Sequence, residues 1–135
     1  MRPGLQIGAA ASVKVVVRPD MVAAFEELGA THPVYATWNL VRHMEEASRK
    51  LVLPYLDDNE ETIGHAVEVV HLGPALVGRH VQATAYLAHM DGRRIVCDVT
   101  THCGNRLIGR GRTVQMLVSR AWLTQRLAQL EQEQE

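Results

Sequence analysis

The spacing of apolar residues changes twice along this 135-residue chain. At 9–19, AAASVKVVVRP is valine-rich and reads as a strand ended by Pro19. DMVAAFEELGA then predicts a short helical turn, with Asp20 as its cap and Gly29 as its stop. HPVYATW reads as a brief extended piece. Over 38–52 apolar residues recur at helical spacing, with Thr37 as the expected cap and Pro54 just past the end. After the acidic, turn-rich YLDDNEE the spacing becomes strand-like. Residues 61–72, 79–90, 93–103 and 106–118 predict four strands. They are separated by LGPALVG, MDGR and CGN, and the short turns favour antiparallel hairpins. SRAWLTQRLAQLEQEQE closes the chain as an amphipathic helix with a polar tail, expected to fray over about 127–135. Strand, helix, then a run of antiparallel strands predicts an α+β fold, one sheet with one main helix on it, in a single domain over 1–135.

Composition narrows the function classes. Apolar residues make up 47% and charged residues 21%, and the net charge is −1, so no global field points to nucleic acid or an acidic membrane. No apolar run approaches the ~20 residues that span a bilayer. The start, MRPGLQIGAAAS, shows no export signal, and a cytoplasmic location is expected. Cys97 and Cys103 lie in one predicted strand, about 20 Å apart if extended, too far for a disulfide. They read as reduced thiols, in keeping with the cytoplasm, and no metal site is expected.

Two stretches carry candidate chemistry. On the helix, at about 100° per residue, Thr37, Leu40, Val41, Met44, Ser48, Leu51 and Val52 share one arc, and Glu45 falls inside it. Glu46 points the other way, with Asn39, His43 and Lys50, and reads as a solvated residue pairing with Arg42 and Lys50. A carboxylate on a buried stripe needs a partner or a wet cleft, the environment that tunes a general base. In ETIGHAVEVVHLGP, strict alternation puts Ile63, His65, Val67, Val69 and His71 on one face. The two histidines are about 20 Å apart, so at most one belongs to a given site. His71, at the strand end before Gly73-Pro74, is the better placed.

These residues also fall in a familiar order. The chain resembles the fluoroacetyl-coenzyme A thioesterase family, within the hot-dog-fold thioesterases. The resemblance rests on Ala36-Thr37, Glu45 and Pro54-Tyr55-Leu56 in VYATWNLVRHMEEASRKLVLPYL, then Gly64 and His71, DGRR at 91–94, His102 and IGRG at 108–111. It implies a long, curved antiparallel sheet wrapped around a central helix, normally as a homodimer, with a tetramer equally compatible. It also implies acyl-coenzyme A thioester hydrolysis without a cofactor, using Thr37, Glu45 and His71. Gly64 would line the acyl pocket, and Tyr35 and His65 are expected beside the substrate. His71 would act as general base on water or on Thr37, and Glu45 would orient or activate.

Two departures point to an acyl group other than fluoroacetyl. Gln115 stands where the family's defining member has an arginine, and Thr31-His32-Pro33 stand where that member places phenylalanines over the site. GRGRT at 109–113 lacks the phosphate-loop pattern and reads as a glycine-bent strand. Arg93, Arg94, Arg110 and Arg112 offer charge for the coenzyme A phosphates. The alternative function is a non-catalytic binder of an acyl thioester or another small ligand on the same fold. A hydratase is disfavoured, because 37–52 contains no aspartate.

Overall fold

The computed structural model describes residues 1–133. Its elements in chain order are β1 (Ala10–Val16), β2 (Val22–Phe25), β3 (Gly29–Tyr35), α1 (Thr37–Val52), β4 (Glu60–His71), β5 (His80–Asp91), β6 (Arg94–Cys103), β7 (Arg106–Ser119) and α2 (Arg120–Glu131). Five strands form one antiparallel sheet in the order β1-β5-β6-β7-β4. The expected α+β arrangement is met. All four predicted strands after the main helix form, and glycines at positive φ, Gly92 and Gly104, turn the β5–β6 and β6–β7 hairpins.

α1 lies on the sheet and buries Leu40, Met44, Ala47, Leu51 and Val52 against Ala83, Ala85, Leu87, Ile95, Val99 and Ile108. Each large apolar side chain removed from water there contributes about 1.5–3 kcal/mol. The helix sits close because β7 carries glycines beneath it. A Cβ on Gly109 would come within 2.7 Å of a Leu40 methyl. One on Gly111 would lie 1.9 Å from the Glu68 carbonyl oxygen and 2.8 Å from the Met44 methyl. GRGRT is thus the strand on which the helix and β4 converge.

Three expectations are corrected. The helical turn over 20–29 does not form. A 3₁₀ turn at Pro19–Met21 leads into a β2–β3 hairpin, and Asp20 takes the Arg18 guanidinium instead of capping a helix. That hairpin covers one side of α1, so Asn39 and His43, expected with Glu46 in solvent, are buried. The helix begins one residue earlier than expected, with Ala36 in the cap position, and Thr37 is freed from capping.

Strict alternation along β4 also fails. The β4–β7 register shifts between Gly64 and Ala66, leaving His65 as the extra residue of a bulge. Before the bulge Thr62 faces the helix side. After it the phase shifts by one, and Val67, Val69 and His71 are the shielded residues. α2 is capped by the Ser119 hydroxyl, which accepts from the Trp122 N–H at 3.0 Å, but none of its residues is buried. Trp122, Leu127 and Leu130 are exposed, so the expected amphipathic face is not covered within one chain. Residues 127–131 are helical, and Gln134–Glu135 of the expected tail lie outside the described residues.

The glycine contacts predict an order of cost. Gly111→Ala is expected to destabilise by at least about 3 kcal/mol, because a fixed backbone oxygen must move. Gly109→Ala is expected to cost about 1–2 kcal/mol, because flexible Leu40 can yield. Urea unfolding of both variants checks the order.

Candidate active site

α1 and β4 run antiparallel, so the start of the helix meets the end of the strand. There the Thr37 hydroxyl and His71 Nδ1 lie 2.8 Å apart. His71 Nε2 is buried and bonds to no other group of the described residues. Burial holds the His71 ring below its ordinary pKa, opposed by the Gly73 carbonyl, which favours the protonated form. A neutral imidazole against a hydroxyl at a helix N-terminus can take a proton and leave an alkoxide that the helix dipole favours.

The Tyr35 ring packs edge-on against His71, with centroids 6.4 Å apart. Its hydroxyl points away from the pair. It donates to the Asn39 carbonyl at 3.1 Å and shares a hydrogen bond with His43 Nδ1. Asn39 in turn donates to the Met21 carbonyl at 3.1 Å. Burial pushes the Tyr35 phenol well above its usual pKa and lowers that of His43. Tyr35 therefore forms a wall behind the imidazole. This buried Tyr–Asn–His cluster was not anticipated from the sequence, although its members stand four and eight residues apart, a helical spacing that could have signalled it.

Glu45 lies elsewhere. Eight residues of helix put its α-carbon about 12 Å from that of Thr37. Its Oε1 is 3.3 Å from the position a Cβ on Gly64 would take, so the missing side chain makes room for the carboxylate. Glu45 is exposed and forms no ion pair among the described residues. It borders a pocket of about 120 Å³ with Gly64, Ser48, Thr113 and Gln115. The floor is a closed polar network. Ser48 Oγ bonds Thr113 Oγ1 at 2.6 Å, Thr62 donates to Gln115 Oε1 at 2.8 Å, and Gln115 Nε2 donates to the Ser48 carbonyl at 3.0 Å. Arg49 closes one side through Thr62 and Glu61. Of these residues Glu45 and Ser48 lay on the predicted arc, and Gly64 and Gln115 were picked out by the resemblance. Thr62 and Thr113 were legible only through register, since β4 and β7 pair there with Gln115 opposite Gly64. His65, in the bulge, is exposed and lines none of this pocket.

Thr37 and His71 are thus brought together, and so are Glu45 and Gly64, as two neighbouring pairs on one helix–strand seam. Among the described residues no group of three or more His, Cys, Asp or Glu side chains is placed to hold a metal, and no helix is long and apolar enough to cross a membrane. Cys97 and Cys103 are free and buried.

Residues 17–121 match the family model of the fluoroacetyl-CoA-specific thioesterase. The chain belongs to that family. It is 31% identical over 116 residues to the fluoroacetyl-CoA thioesterase of Streptantibioticus cattleyicolor, covering 82% of this chain and 84% of that one. A solved thioesterase superfamily member from Thermus thermophilus is similar throughout, with a TM-score of 0.94 at 42% identity over 97% of this chain and 96% of that one. A structure of the fluoroacetyl-CoA thioesterase itself gives a TM-score of 0.88 at 28% identity over 98% and 100%. The fold is that of the hot-dog thioesterases, and family membership makes the chain a thioester hydrolase.

Buried His43 and half-buried His71, both with lowered pKa, make stability depend on pH. Their folded pKa values lie below the ordinary 6.5, so below that pH the unfolded chain binds more protons than the folded one. Their contribution is full above pH 6.5 and is lost as pH falls towards their folded values. Urea midpoints at pH 7.5 and 5.5 are expected to show this drop, and His43→Gln is expected to reduce it.

Proposed function

We propose that this chain hydrolyses a small acyl-coenzyme A to the free acid and coenzyme A, working in the cytoplasm without a cofactor. The observation that carries the reading is the Thr37–His71 hydrogen bond at 2.8 Å, held at the helix N-terminus. A pocket of about 120 Å³ further along the same seam, lined by Glu45 and Gly64, suits a short acyl chain.

In this reading His71 Nδ1 takes the Thr37 hydroxyl proton while Oγ1 attacks the thioester carbonyl carbon. The carbon–sulfur bond breaks, and His71 returns the proton to the departing sulfur. His71, neutral again, takes a proton from the water that resolves acyl-Thr37, while Glu45, about 12 Å along the helix from Thr37, acts at the acyl end of the substrate beside Gly64. The threonine oxygen leaves and is reprotonated. The acyl chain lies towards Gly64, where the absent side chain admits it, and Tyr35 backs the imidazole. His65 is outside the pocket in one chain, and its contact with substrate would be made across a subunit boundary. Gln115, neutral and hydrogen-bonded, presents no positive charge to the acyl group, which supports a substrate other than fluoroacetyl-coenzyme A.

We also propose a homodimer. β4 is a twelve-residue edge strand with one side unpaired, and Val70 and Leu72 beside it are exposed. Pairing two such edges covers both. Light scattering is expected to give twice 15.0 kDa.

A panel of short-chain acyl-coenzyme A esters tests the chemistry. His71→Ala and Thr37→Ala are expected to lower kcat by about 10²–10⁴. Glu45→Ala is expected to lower kcat/KM less than His71→Ala does, with no acyl adduct on Thr37 seen by intact-mass spectrometry. For the wild type, kcat/KM should rise with pH on a limb centred below 6.5, since His71 must be neutral. An adduct on another residue, or full activity in His71→Ala, would sink the mechanism.

A further inference from the structure

Tyr35 joins both halves of the Thr37–His71 pair. It stands two residues before Thr37, and its backbone N–H donates at 2.9 Å to the carbonyl of Ala75, four residues past His71. Its ring meets the His71 ring with the two planes at 84°. An aromatic ring alone would pack there, and the hydroxyl serves a different contact. It donates to the Asn39 carbonyl at 3.1 Å, so its one proton is taken, and its oxygen is left to accept the N–H of His43 Nδ1. His43 also stacks on Tyr35, with ring planes 5° apart and centroids at 5.7 Å. The phenol is thus held in direction by two hydrogen bonds and in plane by the imidazole behind it.

Both of those anchors lie on α1, the helix that carries Thr37. The surface that backs His71 and the hydroxyl that faces it are therefore referred to one rigid element, although His71 itself stands on the sheet. The helix entry is fixed by the same residues. No side chain caps α1, and the Met21 carbonyl instead takes both the Ala36 N–H at 2.8 Å and the Asn39 side-chain amide at 3.1 Å. Asn39 holds the helix start from inside, which leaves the Thr37 hydroxyl free for His71. His43 is buried, lines no part of the pocket beside Glu45, and bonds to neither Thr37 nor His71.

We infer that His43 is a positioning residue for hydrolysis, acting through the Tyr35 hydroxyl to keep the His71 ring aligned on Thr37. A general base works only when its nitrogen is aimed at the proton it takes, and misplacement by about 1 Å costs on the order of 10²-fold in rate. The inference rests on the acyl-coenzyme A reading and adds to it a residue that touches neither substrate nor reacting atoms.

Kinetics of the full-length chain on a short acyl-coenzyme A test it. Tyr35→Phe keeps the ring and removes the hydroxyl. His43→Leu removes the ring nitrogens, and His43→Asn keeps a donor close to the Nδ1 position. Tyr35→Phe and His43→Leu are each expected to lower kcat about tenfold with KM unchanged, and His43→Asn to restore most of it. In a His71→Ala background the same changes are expected to alter the residual rate less than about twofold, whereas a merely structural loss would lower it again. A second readout needs no turnover. The ring-nitrogen resonances of His71 are expected to show Nδ1 without a proton in the wild type, and mixed tautomers in Tyr35→Phe and His43→Leu. Unchanged kcat and unchanged His71 resonances in Tyr35→Phe and His43→Leu overturn the inference, as does an equal loss in the His71→Ala background. If His43→Leu does not fold, Tyr35→Phe, which removes a single oxygen, decides the matter alone. Resonances that follow His43 in a protein that hydrolyses no acyl-coenzyme A keep the positioning and remove the proposed reaction.

Discussion

The close approach of α1 to β7 is the contact on which the rest of the molecule depends. A helix normally rides on a sheet at a distance set by the side chains between them. Here two of those side chains are hydrogen atoms, at Gly109 and Gly111, and Leu40 and Met44 settle into the space. The helix packs mainly on β5 and β1, and these glycines let its other flank lie against β7 and β4. That is why Thr37 reaches His71 at one end of the seam and Glu45 reaches Gly64 further along it. Had β7 carried alanines, the core would still have been apolar, but Leu40, Met44 and the Glu68 backbone would have had to shift.

The parts of this arrangement that the sequence made legible are those set by long local patterns. The four strands after the helix are ten or more residues each and are bounded by glycine turns, so their period and ends are both visible. The choice of Glu45 over Glu46 followed from helix geometry, although both are exposed in one chain. What stayed hidden depends on contacts between distant segments. A bulge adds one residue without any change of composition, so a strict two-residue period carried His65 and Ile63 onto the wrong face. AAFEEL is built of good helix formers, and its pairing with Gly29–Tyr35 overrode that preference. Burial of Asn39 and His43 followed from the same hairpin. The pairing of Thr37 with His71 came from family resemblance, because nothing local joins residues 34 positions apart.

The pocket floor shows how a buried polar network defines a shape. Gln115 uses both ends of its amide, accepting from Thr62 and donating to the Ser48 backbone, while Ser48 and Thr113 satisfy each other. With its partners already made, such an amide has little reason to swing towards a ligand, because leaving Thr62 or Ser48 unsatisfied in a buried site costs about 1–3 kcal/mol. The floor therefore acts as a fixed neutral surface beneath the exposed Glu45 at the rim.

α2 gives the molecule a graded stability. Its twelve residues bury no side chain of their own, a length at which helices standing alone in water are marginal. Its first residue is tied down, since the Arg120 guanidinium reaches Glu61 and the Asp58 carbonyl. Beyond that anchor the helix is held by its own backbone bonds and by side-chain contacts of Arg126 with Gln129 and Glu133. Amide protons there should therefore exchange with solvent long before those of β6 and β7, in an opening that stops at Arg120 and leaves the seam between α1 and β4 closed.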